Sequence, residues 1–500
     1  MKADAGLRGL LNRLRAGAEE GEEEGQPFGG LIGSLPNALI LGAVTLLALV
    51  ARLHDFAVAP GLTDAPDEYS FTWAGMQILR GHQPAGATAG VAAYSGGHDV
   101  SLFGLTFHLV TPWLDHPPLF TLLPGAAELA AGFRRFGEIS PSVMRVPSIL
   151  LGVATVVLGY QLARRLLPPT GAVLAAFLLA VEPGLVLLSR LAVAEAALAP
   201  LLLLAVLLAT PAVSDSTHQG SAGAGPAVDQ APTGPTLALL LAVCLVSPLI
   251  LLSGVVVPVT ALALLLSRGI RREAWLAAAA GAAGVGLYAL YGLVLDGGTF
   301  VRVFQQELAG AGGVLTPIRF VTTSIGPTRS FLDAWYLFSW AALAYLAGNA
   351  KRRHRYRPLL WPVAVYLVMV TPFLPSATLA QSGWTRLPIL PLLLLGGAAA
   401  LYAAVREGQL LVPALGLMSA GVWSLQWLFR APFRPGALTL LVLFAVGAVP
   451  MAVTEVRSKG RARDAALGIW SMVALLVLAG DTVLTWNLAG LLGTPGVSAG

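Results

Sequence analysis

The sequence predicts an all-α, polytopic membrane protein of about thirteen transmembrane helices, with interfacial helices in a long first outer loop. Three observations predict it. Charged residues make up 11% of the chain and hydrophobic residues 56%, whereas a soluble domain carries about 25% charged residues. Apolar runs of about 20 residues recur throughout, each long enough to cross ~30 Å of hydrocarbon. These runs are continuous Leu/Ala/Val stretches without alternation, so helices rather than barrel strands satisfy their backbones.

Residues 1–35 carry the acidic run Glu19-Glu20-Gly21-Glu22-Glu23-Glu24, unlike a cleavable signal peptide, and read as a cytoplasmic tail. Spans are expected at 36–58, 142–163, 170–187, 191–209, 236–252, 254–267, 274–295, 333–349, 358–374, 387–405, 410–429, 437–453 and 465–488. Together 36–490 read as one transmembrane catalytic domain, with 491–500 as a short outer tail. Basic residues test this order, because they concentrate in cytoplasmic connections. With the N-terminus inside, Arg164-Arg165, Arg268/Arg271/Arg272, the Lys351–Arg357 cluster, Arg406 and Arg457–Arg463 all fall inside. Arg134-Arg135 is the exception. The net charge of +5 therefore reports topology rather than a nucleic-acid partner. Cys244 is the single cysteine, which excludes an internal disulfide framework.

The loops divide by face. On the inside, 211–235 is rich in Gly, Ala, Ser and Pro and reads as a flexible linker. On the outside, the first loop (59–141) is too long for a plain connector. Within it, Asp67–Arg80 has helical apolar spacing, and Leu102–Trp113 and Leu119–Phe136 also read as short helices, with Phe107 and Trp113 at headgroup depth. The second long outer loop is 296–332.

Chemistry-bearing residues gather on that outer face. Asp64, Asp67 and Glu68 follow the first span, with Pro66 stiffening the approach. Carboxylates at a membrane exit can serve as general base or metal ligand; Asp64 or Asp67 can equally cap the helix that follows. Asp115 and His116 precede Pro117-Pro118, which holds the local backbone; either they meet substrate or Asp115 caps the next helix. Arg190 and Glu195 lie at a membrane turn, where charge by default marks a site, although Arg190 can also snorkel to the interface. Arg145, Arg302 and Arg386 are outer-face guanidiniums suited to phosphate. A divalent metal is conceivable, with Glu68, Asp115 and His116 as candidate ligands, but the spacings match no standard ligand pattern.

Taken in order, these pieces resemble the GT-C-fold glycosyltransferases, and more narrowly the protein O-mannosyltransferase and aminoarabinose lipid A transferase group. Asp67-Glu68 follows the first span, His116-Pro117-Pro118-Leu119 follows in the same loop, Arg145-Val146-Pro147-Ser148 opens the second span with Gly152 behind it, and Leu188-Ser189-Arg190 precedes Glu195. Gln381–Pro391, with Arg386 and Pro388, resembles the segment that opens a late span. The first four cover roughly residues 50–200; the remainder matches in topology.

The resemblance implies an integral-membrane enzyme of a bacterial plasma membrane, with its active site on the extracytoplasmic face. It implies a polyprenyl-phosphate-linked sugar as donor, a glycan, lipid or protein as acceptor, and Asp67 as the base of an inverting transfer. It implies no nucleic-acid partner and no certain cofactor. The chain departs from the lipid A transferases, which have Lys in place of His116. It departs from the mannosyltransferases, which continue with Gly-Lys where Phe120-Thr121 stands here. A transporter or flippase is the competing class, because intramembrane charge near a cavity also fits transport. The chain shows no internal repeat to support it.

Overall fold

A computed structural model describes residues 37–61, 65–102, 104–210, 231–322, 334–374, 383–407 and 477–487. The expected tail 1–35, Asp64, most of the linker 211–235, and the spans at 410–429 and 437–453 lie outside the described residues.

Helices occur at the remaining expected span positions. They are α1 (Asn37–Leu53), then, after the outer loop, α4 (Val146–Leu166), α5 (Pro169–Val181), α6 (Pro183–Leu188), α7 (Glu195–Ala209), α8 (Gly234–Ile250), α9 (Val256–Leu266), α10 (Arg271–Ala309), α11 (Ala334–Ala347), α12 (Arg357–Met369) and α13 (Leu390–Arg406). Residues 477–486 form a last helical segment. The expected span 170–187 is two helices, because Glu182-Pro183 breaks it; Glu182 caps α6, accepting from the amides of Gly184 and Leu185. Among the described residues, two helical stretches are long and apolar enough to cross a bilayer by length and composition, Pro141–Leu166 and Arg271–Ala309. The other apolar helices run 10–17 residues. The larger apolar core joins α1, α4–α13 and the last segment.

The first outer loop folds as its own layer. It contains α2 (Asp67–Leu79), a three-stranded antiparallel sheet, and α3 (Leu122–Ala130). The strands are β1 (Gly86–Ala87), β2 (His98–Leu102) and β3 (Leu105–Val110), in the order β1-β3-β2. The all-α expectation is corrected here: Leu102–Trp113 is not a helix. Leu105-Thr106-Phe107-His108-Leu109 alternates, with Phe107 and Leu109 buried and Thr106 and His108 turned outward, which is the two-residue period of a half-buried strand. Phe107 and Trp113 are turned into protein. Phe107 packs against Tyr69 and Phe136 under the sheet, and Trp113 packs against Phe71. The expected helix Leu119–Phe136 is shorter than its apolar pattern, ending near Ala130.

Two glycines seat α2 on α3. A Cβ on Gly75 would meet the Thr121 carbonyl oxygen at 1.8 Å, and one on Gly125 would meet the Gly75 backbone at 2.5 Å. No larger residue permits this crossing, so α2 is fixed in depth against the loop that carries His116.

The helix α10 continues past its membrane span. At Asp296 the backbone leaves helical geometry (φ −162°, ψ 90°). The Asp296 carboxylate then accepts from the Thr299 amide at 3.0 Å and the Thr299 hydroxyl at 2.7 Å, the pattern of an N-cap that restarts a helix. The expected second outer loop thus begins as a helical extension, 297–309.

Candidate active site

The site is built where α2 leaves the membrane surface. Asp67 and Glu68 are the first two residues of α2. Successive helix residues point about 100° apart, so the two carboxylates meet different surroundings.

Glu68 points inward and is fully buried. It accepts from Arg145 through Nε (3.0 Å) and Nη2 (2.6 Å), and from the Ala192 amide (2.6 Å). Arg145 spends its remaining donor, Nη1, on the carbonyls of Phe56 (2.7 Å) and Pro60 (3.0 Å). Here the sequence expectation is corrected. Glu68 is committed to Arg145 and the Ala192 amide, and Arg145 holds both Glu68 and the backbone that follows α1. Arg190 is corrected in the same way. It does not snorkel; it is fully buried and donates to the carbonyls of Ala51 (2.7 Å) and Ala59 (3.1 Å). The cause is common to both. The carbonyl of Ala51 in the last turn of α1 and those of Phe56, Ala59 and Pro60 in the turns that follow it accept from these guanidiniums, and buried acceptors must be paired.

Asp67 points the other way. The α2 N-terminus shows no side-chain cap, so Asp67 is not consumed as one. It is exposed to solvent, although protein lies close around it. Burial there raises its carboxyl above the ordinary value; His116 opposes the rise, and Asp115 and Glu68 add to it. Among the described residues Asp67 has no ion-pair or hydrogen-bond partner.

His116 lies against the same helix. Its ring stacks on Phe71, one turn along α2 from Asp67, with centroids 4.9 Å apart and planes at 24°, and it meets Trp113 edge-on at 5.4 Å. Asp115 is not a helix cap. Its two oxygens accept from the Tyr94 hydroxyl (2.5 Å) and the Trp113 indole (3.1 Å). Tyr94 accepts in turn from the Leu114 amide (3.0 Å). Burial first, and Asp115 second, raise the Tyr94 phenol, so it stays a neutral donor.

The remaining residues line the recess from other elements. Glu195, the first residue of α7, is close enough to Asp67 for the two charges to act on each other. Tyr366 of α12 likewise lies within electrostatic reach of Glu195 and Arg386. Arg386 is buried, over the rings of Phe320 at 4.9 Å and Tyr336 at 5.7 Å, and its Nε donates to the Phe320 carbonyl and the Tyr336 hydroxyl, both at 3.2 Å. Arg302, on the α10 extension, donates to the Ala93 carbonyl (2.9 Å) and the Thr299 hydroxyl (2.8 Å). The structure thus brings Asp67, Asp115, His116 and Glu195 to one recess. Arg386 acts on Tyr366, which lies within electrostatic reach of Glu195, and Arg302 is held at the Ala93 carbonyl, next to the Tyr94 that binds Asp115. No group of three His, Cys, Asp or Glu side chains among the described residues stands within metal-binding reach, and with Glu68 committed to Arg145 the candidate ligand set does not fit a metal.

Sequence reasoning missed Arg52, Tyr94 and Glu307. Arg52 is fully buried and donates from Nε to the Ser189 hydroxyl (2.8 Å). A Cβ on Gly152 would come within 2.8 Å of that guanidinium. A charge inside the run 36–58 was the available signal. Glu307, on the α10 extension, acts electrostatically on His116 and Asp115. Its place depends on the helix restart at Asp296, which the sequence alone does not announce.

A sequence model of the dolichyl-phosphate-mannose-protein mannosyltransferase family matches residues 115–231, the stretch from Asp115 through α7. No curated protein matches the chain by sequence. Among solved structures, the chain is similar to ArnT from Cupriavidus metallidurans bound to undecaprenyl phosphate, at 14% identity and a TM-score of 0.50, over 91% of this chain and 77% of that one. The apo state of the same protein matches at 14% identity and a TM-score of 0.49, over 90% and 77%. The archaeal oligosaccharyltransferase AglB from Archaeoglobus fulgidus, in complex with an inhibitory peptide and a dolichol-phosphate, matches at 12% identity and a TM-score of 0.44, over 92% of this chain and 56% of that one.

Proposed function

We propose that the protein, a membrane protein with the GT-C glycosyltransferase fold, transfers a sugar from a polyprenyl-phosphate donor to a hydroxyl acceptor on the extracytoplasmic face. Asp67 is its general base. The observation that carries this reading is the division of labour at the start of α2. Glu68 is locked in a buried ion pair, while Asp67 has no ion-pair or hydrogen-bond partner among the described residues and lies within electrostatic reach of His116 and Asp115.

In this reading Asp67 takes the proton of the acceptor hydroxyl as its oxygen bonds to the anomeric carbon. The bond from that carbon to the phosphate oxygen breaks, and its electron pair leaves with the polyprenyl phosphate from the opposite face. The anomeric centre inverts. His116 and Arg386 receive the phosphate charge, with Arg302 at the rim. Fixed donors of this kind stabilise a leaving anion without reorganising. The lipid tail stays in the bilayer beside a bundle whose polar recess opens at its outer surface.

The test is transfer from an isotopically labelled lipid donor by purified protein. Asp67→Asn keeps the shape and removes the base, so it is expected to lower turnover by about 10²–10⁴-fold while donor binding persists. Near-normal turnover by Asp67→Asn sinks the assignment.

A further inference from the structure

Glu307 reaches the site by an unusual route. The span of α10 ends at Asp296, and the restarted helix runs outward over the first loop. It is seated there by two side chains one turn apart. Arg302 Nε donates to the Ala93 carbonyl at 2.9 Å, and Gln306 packs on Gly90 so closely that a Cβ there would lie 3.2 Å from its amide nitrogen. The turn they grip, Val91–Ala93, leads into Tyr94, which holds Asp115. The loop beyond it is tied to α10 a second time, where the Tyr288 hydroxyl donates to the Leu114 carbonyl at 3.3 Å. Glu307 is the next residue after Gln306. It keeps solvent-accessible surface and lies within electrostatic reach of both His116 and Asp115. A seated helix therefore brings it within reach of His116 and Asp115 from an element other than the first loop.

Its charge adds to an existing imbalance. Asp67, Asp115, Glu195 and Glu307 act on one another directly or through His116. The buried guanidinium nearest to α2, Arg145, is already matched to Glu68. Arg302 is turned to Thr299 and the Ala93 carbonyl. Among the described residues, His116 is the one basic side chain named as acting on both Asp67 and Glu307. A recess walled by one sign of charge concentrates ligands of the opposite sign and excludes its own.

We propose that Glu307 is a specificity-determining residue of this recess, admitting hydroxyl-bearing acceptors that are neutral or cationic and turning away anionic ones. The inference rests on the glycosyl-transfer reading for the word acceptor; the electrostatic claim stands without it. A carboxylate also suits the task chemically, since it accepts hydrogen bonds from sugar hydroxyls and ammonium groups alike.

The experiment uses the full chain with Cys244→Ser and a single reporter, Glu307→Cys, in detergent. Two thiosulfonate reagents of similar size and opposite charge, a trimethylammonioethyl and a sulfonatoethyl methanethiosulfonate, are compared for labelling rate. The cationic reagent is expected to react faster by at least about tenfold beyond its ratio on free cysteine. Adding Asp115→Asn should cut that preference severalfold, and polyprenyl phosphate should protect the thiol. Gln305→Cys, on a different face of the same helix, should show neither preference nor protection. Equal normalised rates at Glu307→Cys overturn the proposal, as does the same preference at Gln305→Cys. A second variant, Glu307→Gln, is assayed for transfer to a neutral alkyl hexoside and to the matching alkyl hexuronide. The ratio of their kcat/KM values should move at least about tenfold toward the uronide, and an unchanged ratio overturns the proposal. If no transfer occurs with any variant while the labelling preference holds, the glycosyl-transfer reading fails and the charge selection stands.

Discussion

Glu68 and Asp67 are adjacent, and their substitutions are predicted to fail in opposite ways. Glu68→Gln replaces one carboxylate oxygen by an amide while keeping the shape. In the structure those oxygens receive Arg145 Nε at 3.0 Å, Arg145 Nη2 at 2.6 Å and the Ala192 amide at 2.6 Å, all with side chains fully buried. Hydrogen bonds to a charged group contribute about 1.5–3 kcal/mol each, but desolvation offsets part of that, and removing one partner of a buried pair costs about 3–5 kcal/mol because the other charge is stranded. The amide oxygen can still serve Ala192, so the loss falls mainly on Arg145, whose remaining acceptors are the carbonyls of Phe56 and Pro60. The assay is equilibrium unfolding in mixed detergent micelles across a cycle of Glu68→Gln, Arg145→Met and the double variant. We expect each single variant to lose about 3–5 kcal/mol and the coupling to exceed about 2 kcal/mol, with residual folded protein keeping most of its transfer activity. The reasoning is refuted if Glu68→Gln unfolds like the parent while its activity disappears. Glu68 would then be a chemical group and not a brace.

Three further outcomes are expected. Tyr94→Phe removes the donor to Asp115 and should lower kcat/KM by about 10- to 100-fold, the equivalent of a charge-assisted hydrogen bond, with the melting transition little changed; steady-state kinetics with labelled donor check it. Glu128, buried in α3, has its carboxyl raised by burial to about 7 from 4.5, against the amides of Ser140 and Met144; since the folded state then holds its proton more tightly than the unfolded one, stability should fall as pH rises from 4.5 to about 7, and Glu128→Gln should flatten that slope in melting curves. Cysteine placed at Arg353 in a Cys244-free chain should resist a membrane-impermeant thiol reagent added from outside, and ready labelling would defeat the proposed sidedness.

Much of the bundle was legible because lipid leaves so few solutions. Continuous apolar runs can only be helices there, and the span ending near Leu295 stopped within a residue of the Asp296 break. The carboxylate pair at the start of α2 was legible in position but not in its division of surroundings. Nothing in the dipeptide Asp67-Glu68 says which carboxylate faces Arg145, a residue 77 positions from Glu68. The outer layer was least legible. Leu105–Val110 is short enough that helix and strand periods overlap, and the partners that decide it, β1 and β2, lie in Gly-rich stretches without strong patterning of their own. Arg145 read as a phosphate ligand and Arg190 as a site charge or a snorkelling side chain because a sequence does not show the carbonyls at and after the end of α1 that they pair.

Those carbonyls have a consequence for biogenesis. Arg52, Arg145 and Arg190 all converge on the exit of α1, and Arg52 completes its shell with a hydroxyl 137 residues downstream, together with the carbonyls of Leu179 and Ala180. A lone guanidinium at the centre of a bilayer costs about 2.5–3.5 kcal/mol on insertion scales. While the chain is being synthesised, the first segment therefore has no stable reason to take up its final depth until Ser189 has left the ribosome. α1 thus precedes the partners that fix it, and the start of α2, with both carboxylates, depends on the same later residues. Substitutions at Ser189 or Gly152, remote from the recess and without charge, would then be expected to act chiefly as assembly defects, leaving less protein at the membrane with normal turnover per molecule.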